Sequence, residues 1–134
     1  MGAIIVVDTN RSVRATVSGI IDYRERTLIR TDVAATCRTN SINHVLVDYC
    51  ESEIKMTTAE HYSYGASFSD AGFPDETWLG VILEDEVMRS TLALFSIAVA
   101  QYRGMQIEVF PNDRTADMAL NAKLLASRCQ SLVD

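Results

Sequence analysis

The sequence predicts a small α/β domain: a mixed, mainly parallel five-stranded sheet opened by an N-terminal β-hairpin, with elements in the order ββαβαβαβα. Three observations predict it. Short β-branched runs alternate with longer stretches of helical spacing, the pattern that calls for crossover connections and a sheet covered by helices. Two of the runs, His44–Tyr49 (HVLVDY) and Trp78–Leu83 (WLGVIL), are nearly continuous in apolar residues, as strands buried on both faces are. The 134 residues are 48% hydrophobic and 22% charged, with only six Gly and two Pro, which is enough for one core and excludes collagen-like or low-complexity character. Residues 1–134 read as a single domain, with no fixed-period repeat and no linker.

Ala3–Val7 (AIIVV) is a strand, Asp8–Ser12 a polar turn, and Val13, Ala15, Val17 and Gly19 alternate with polar residues as a second strand. Gly19 inside that run predicts a bulge or a close backbone approach. Asp22-Tyr23-Arg24-Glu25 has the form of a helix start, and Leu28, Ile29, Val33 and Cys37 carry the helix to about Arg38. Asn40–Asn43 breaks it. His44–Tyr49 is the next strand, ending in an acid, Asp48. Thr57–Phe68 reads as a helix capped by Thr57 with Glu60 three residues on, and Ser69–Thr77 as a loop. After the strand Trp78–Leu83, the acids Glu84-Asp85-Glu86 suit a helix start. Met88, Leu92, Phe95, Val99 and Tyr102 then form a stripe at helical spacing, stopped by Gly104. Gln106–Phe110 is the last strand, Pro111–Asp113 a turn and cap, and Arg114–Ser127 a final helix with Ala116, Leu120, Leu124 and Leu125 inward.

Twelve basic and eighteen acidic side chains give a formal charge of −6, and it is uneven: residues 1–50 carry +1, the remainder −7. Such a field repels phosphate backbones, which disfavours nucleic acid, and suits a partner with a basic face. The acidity also serves plain solubility. Three cysteines, Cys37, Cys50 and Cys129, are too few and too scattered for a disulfide framework or a zinc site, so no metal and no cofactor is expected. No secretory signal or membrane span is visible, and a cytoplasmic location is expected. Small α/β modules commonly pair, so a homodimer is compatible with the chain, though no feature specifies it.

In an open parallel sheet, ligands gather at the carboxyl ends of the strands. Those ends carry Asp22, Asp48-Tyr49-Cys50, Glu84-Asp85-Glu86 and Asn112-Asp113. A ring of acids suits Mg²⁺, but three of these positions are where helix caps are required. Receiver-type phosphorylation of Asp48 needs a lysine ending a neighbouring strand, and Lys55 and Lys123 do not. Gly65-Ala66-Ser67-Phe68-Ser69 lacks the last glycine of a nucleophile elbow, and no glycine-rich phosphate loop occurs. Cys50 near a strand end and His61, flanked by Glu60, Tyr62 and Tyr64, are the remaining candidates for chemistry, but they assemble no catalytic set. The expectation is therefore a protein that is not an enzyme. Tyr62, Tyr64, Phe68, Phe73 and Trp78 form a dense aromatic group that either covers core or lines an apolar pocket.

Val17-Ser18-Gly19-Ile20-Ile21 before a helix, Val45-Leu46-Val47-Asp48 ending a strand, and Tyr102-Arg103-Gly104-Met105 leading into Ile107–Phe110 resemble the STAS-like domains, in particular the SpoIIAA-like group related to anti-sigma factor antagonists. The resemblance spans roughly residues 13–127. It implies a non-catalytic regulatory module that binds a protein partner, a kinase-like regulator, and is released by phosphorylation at the start of the helix after the Asp-ending strand. Counted from Asp48 without gaps, that position is Thr58, with Thr57 before it. Where the family has Asp-Ser-Ser-Gly, this chain has Met56-Thr57-Thr58-Ala59. The implied partner surface is the loop 48–58 with Asp48, Cys50, Thr57, Thr58, Glu60 and His61. Relatives in the broader group resemble lipid carriers, which gives the alternative of an apolar ligand held near residues 62–78.

Overall fold

The computed structural model describes residues 2–9, 11–83 and 91–133. Strands β1 (Gly2–Val7) and β2 (Val13–Ile21) lead into helix α1 (Tyr23–Asn40), then β3 (His44–Ile54) and α2 (Thr58–Ala66). A 3₁₀ turn (Phe68–Ala71), β4 (Trp78–Ile82), α3 (Thr91–Tyr102), β5 (Gln106–Phe110) and α4 (Asp113–Val133) follow. The sheet runs β1-β2-β3-β4-β5 in space. β1 is antiparallel to β2, and every other neighbouring pair is parallel.

Strands laid down in sequence order with crossovers of one hand put their connecting helices on one face. The core shows this. Val13, Ala15, Val17, Val45, Val47, Tyr49, Leu79, Val81 and Ile107 pack on that face with Val33 and Cys37 of α1, Tyr64 of α2, and Ile97 and Ala100 of α3. The opposite face buries Leu46, Trp78 and Ile82 under Ala116 and Leu120 of α4. Each strand therefore divides its side chains between two apolar layers, which explains why β3 and β4 read as continuous apolar runs.

The caps follow the local chemistry. Asp22 accepts from the Glu25 amide at 2.8 Å and opens α1. Ser41, in the left-handed region at φ 54°, closes it with its amide directed to Arg38 and Cys37 carbonyls. Gly65 is required by packing: a Cβ there would stand 2.3 Å from the Ser96 carbonyl oxygen, so only glycine lets α2 approach α3 this closely.

Several sequence expectations are corrected. β3 does not end at Tyr49 but runs to Ile54, because the alternating Glu51–Ile54 segment pairs with Ser18–Ile21. The predicted bulge exists, but its extra residue lies in β3: Tyr49 and Cys50 stand opposite Val17 alone, while Gly19 takes a positive φ of 86° beside it. α2 stops at Ala66, and Phe68 begins the separate 3₁₀ turn. On α1, Leu28 is exposed, and the buried stripe runs Arg26, Arg30, Val33, Cys37. On α3 the buried residues among those described are Ser96, Ile97 and Ala100, whereas Tyr102 is 92% exposed. Met88, the Leu92 side chain and the acids Glu84–Glu86 lie outside the described residues. α4 extends to Val133, and Leu125 is exposed because Ala116, Leu120 and Leu124, four apart, already take the inward face.

Candidate functional site

The carboxyl rim of the sheet is stepped. β4 ends at Ile82, opposite Asp48, whereas β2 and β3 continue together to Ile21 and Ile54. The result is a two-stranded arm beyond the rest of the sheet, tied at its tip by the Lys55 amide donating to the Ile21 carbonyl at 2.8 Å. Glu51 and Glu53 are exposed along it. Three residues past the arm, α2 begins.

Thr57 caps that helix. Its hydroxyl accepts from the Glu60 amide at 3.2 Å, and the Glu60 carboxylate accepts from the Thr57 amide at 2.9 Å, a reciprocal capping box. Thr57 and Thr58 are both exposed, and Thr58 is the first residue of the helix. The two threonines thus differ: Thr57 spends its hydroxyl on the backbone, and Thr58 presents its own at the positive end of α2.

The other residues singled out by sequence do not join them. Asp48 and Cys50 point to the α4 side of the sheet, where Cys50 packs against the Leu46 and Trp78 layer. The Asp48 carboxylate accepts from the Cys50 amide at 2.8 Å, so it satisfies a backbone donor at the bulge. His61 is buried on the opposite side, and its Nδ1 has no hydrogen-bond partner among the described residues. Burial, and next the Arg26 charge, hold its pKa below the ordinary histidine value, with Glu60 acting the other way. Among the described residues, no three His, Cys, Asp or Glu side chains converge as metal ligands.

Beneath α2 lies a cluster that sequence reasoning passed over. Arg26 and Arg30 are only 4% and 7% exposed. Both guanidiniums lie over the Tyr64 ring, at 4.0 and 4.3 Å from its centroid. Arg26 also stands over Tyr49, and Arg30 over Phe68. Arg30 donates to the Tyr64 carbonyl at 2.7 Å and to the Ser67 hydroxyl at 3.1 Å, which fixes the C-terminal part of α2 on α1. Burial pushes the Tyr64 phenol well above its usual value, with the Tyr49 phenol adding to the rise and Arg26 and Arg30 opposing it. The signal was present in the sequence: residues 26, 30, 33 and 37 form a regular inward stripe whose first two members are arginines.

The aromatic group is divided. Tyr64 meets Phe68 edge-on at 5.6 Å, and Phe68 stacks on Phe73 at 5.7 Å. These three line a cavity of about 30 Å³ together with Arg26, Arg30 and apolar residues of the sheet. Tyr62 is exposed and lies near Phe95, while Trp78 is on the α4 face against Phe110 and donates to Glu108 at 3.0 Å. A second, open depression of about 240 Å³ lies at the amino ends of β4 and β5, bordered by Phe68, Phe73, Asp75, Glu76 and Arg103.

No family model and no curated protein matches this sequence. Among solved structures, the anti-sigma factor antagonist SpoIIAA in its unphosphorylated form superposes with a TM-score of 0.54 at 11% identity, over 88% of this chain and 97% of that one. The chain therefore has the STAS-like α/β fold, here read from backbone geometry with little shared sequence. No helix among the described residues is long and apolar enough to cross a membrane.

Proposed function

We propose that this chain is a non-catalytic regulatory module that binds a protein partner through the start of α2 and the adjoining β2–β3 arm. The observation that carries the reading is Thr58: an exposed hydroxyl at a helix N-terminus, beside a protruding acidic arm, in a fold shared with an anti-sigma factor antagonist. Glu51 and Glu53 on the arm suit a partner with a basic face. Of the two threonines, Thr58 is the phospho-acceptor in this reading, because modifying Thr57 would dismantle the capping box. A phosphoryl group on Thr58 would add a charge of about −1.5 to −2 where the helix dipole tolerates it, and would change the surface offered to the partner. Glu60 and His61 act from behind, the first by fixing the helix start and the second by packing under it. Asp48 and Cys50 shape the arm through the bulge.

The alternative of an apolar ligand has less support. A drug-sized ligand needs a site of about 300–1,000 Å³, and the cavity among Tyr64, Phe68 and Phe73 is about 30 Å³. Affinity capture from the native source, quantified for the wild-type chain, Thr58→Glu and the charge reversal Glu51→Lys/Glu53→Lys, tests the proposal. The expected result is a specific protein retained by the wild type and lost from both variants. The same proteins bound equally by all three would overturn it.

A further inference from the structure

We infer that the cavity between α1 and the sheet is a binding site for a small monovalent anion of halide size, an inference independent of the regulatory reading. Arg26 and Arg30 are four residues apart and face inward from one side of α1. Guanidinium stays protonated at any ordinary pH, and a buried charge is costly unless it meets an opposite one. Among the described residues the partners are all neutral. Arg26 donates to the Tyr49 hydroxyl at 3.4 Å, the Ser96 hydroxyl at 3.4 Å and the Met56 sulfur at 3.8 Å. Arg30 donates to the Tyr64 carbonyl and the Ser67 hydroxyl, and its buried Nε has no acceptor among the described residues. Among the described residues neither guanidinium is in a salt bridge, whereas Arg14, partly exposed on β2, has two.

Both arginines line the cavity of about 30 Å³. The rest of its wall is apolar or aromatic, with Val33, Leu79, Tyr64 and Phe68 among its residues, and the hydroxyls of Tyr49 and Ser96 are able to donate. About 10–15 Å³ is needed to hold one water, so the space takes one or two water-sized species and leaves no room for a phosphate or an organic acid. A water would satisfy the orphaned Nε and leave the charge uncompensated. A halide does both, and in surroundings of low dielectric its attraction to two guanidiniums is strong.

Thermal unfolding of the full chain at constant ionic strength, with sodium chloride or bromide replacing sodium gluconate, reads this directly. The expected midpoint rises by about 4–6 °C for each tenfold increase in halide above its dissociation constant. Crystals grown in bromide should show an anomalous peak in contact with Arg26 and Arg30, and Arg30→Gln should lose both the peak and the halide dependence. If that variant does not fold, the wild-type salt series and bromide map decide alone. A midpoint indifferent to halide, a water or one of the chain's own carboxylates in the cavity, or a bromide peak without a midpoint shift (an adventitious ion only) would each overturn the inference.

Discussion

The two faces of the sheet solve the same packing problem with opposite chemistry. Under α4, Leu46, Trp78 and Ile82 meet Ala116 and Leu120 in an apolar layer, and Arg14 on that face stays partly exposed, where Asp113 and Asp117 pair with it. Under α1, α2 and α3, two arginines enter the layer itself and lie on the rings of Tyr49, Tyr64 and Phe68. Aromatic faces, hydroxyls and a carbonyl hold the guanidiniums there without bringing an opposite charge, whereas carboxylates supply one on the other side. The difference teaches that the helix bearing Thr58 is seated by polar anchors from α1, through the Tyr64 carbonyl and Ser67, as well as by apolar burial.

The comparison breaks most sharply at Tyr64. Truncating a large buried aromatic costs roughly 3–5 kcal/mol, and Tyr64→Ala would also uncover both guanidiniums, so a loss at the upper end is expected in chemical denaturation. Leu46→Ala on the α4 face removes apolar packing alone, at roughly 2–5 kcal/mol. A smaller loss for Tyr64→Ala than for Leu46→Ala would contradict the claim that the tyrosine covers charge.

Each face also holds one buried histidine. His61 is depressed by burial and then by Arg26, and His44 by burial and then by Lys123. Both pKa values lie lower in the folded chain than in the unfolded one, so the unfolded state binds more protons as pH falls. The stability they support is complete above the unfolded histidine value of about 6.5 and is lost as pH drops below it. Denaturation midpoints at pH 7.5 and 5 should therefore differ, and His61→Gln and His44→Gln should each flatten the profile. A variant profile identical to the wild type's would remove that histidine from the account.

The smallest effect is expected at Arg14. Its ion pairs are partly exposed, so Arg14→Met should cost less than about 1 kcal/mol, with the difference shrinking as salt rises.

Much of the fold was legible because β-branched runs and helical spacing each have a distinct period. The hairpin, the parallel strands and the Asp22 and Thr57 caps follow from local residue chemistry. What local patterns do not carry is which strand a neighbour extends. Asp48 looked terminal because an acid commonly closes an apolar run, and only pairing with Ser18–Ile21 keeps β3 going to Ile54. The start of α2 was legible at Thr57 and Glu60, where the capping box is written in the residues themselves. The sides taken by Asp48, Cys50, Tyr62 and Trp78 were not legible, because they depend on strand register and on tertiary packing. Arg26 and Arg30 escaped because a charged residue on an inward stripe is ordinarily assigned to solvent.

Recognition at the start of α2 is most directly tested by photo-crosslinking in the native source, with a photoreactive side chain placed at position 58 or, as reference, at the exposed position 118 on α4. The account expects a discrete protein adduct from position 58 that is absent from position 118. Identical adducts from both positions, or none from position 58, would contradict it.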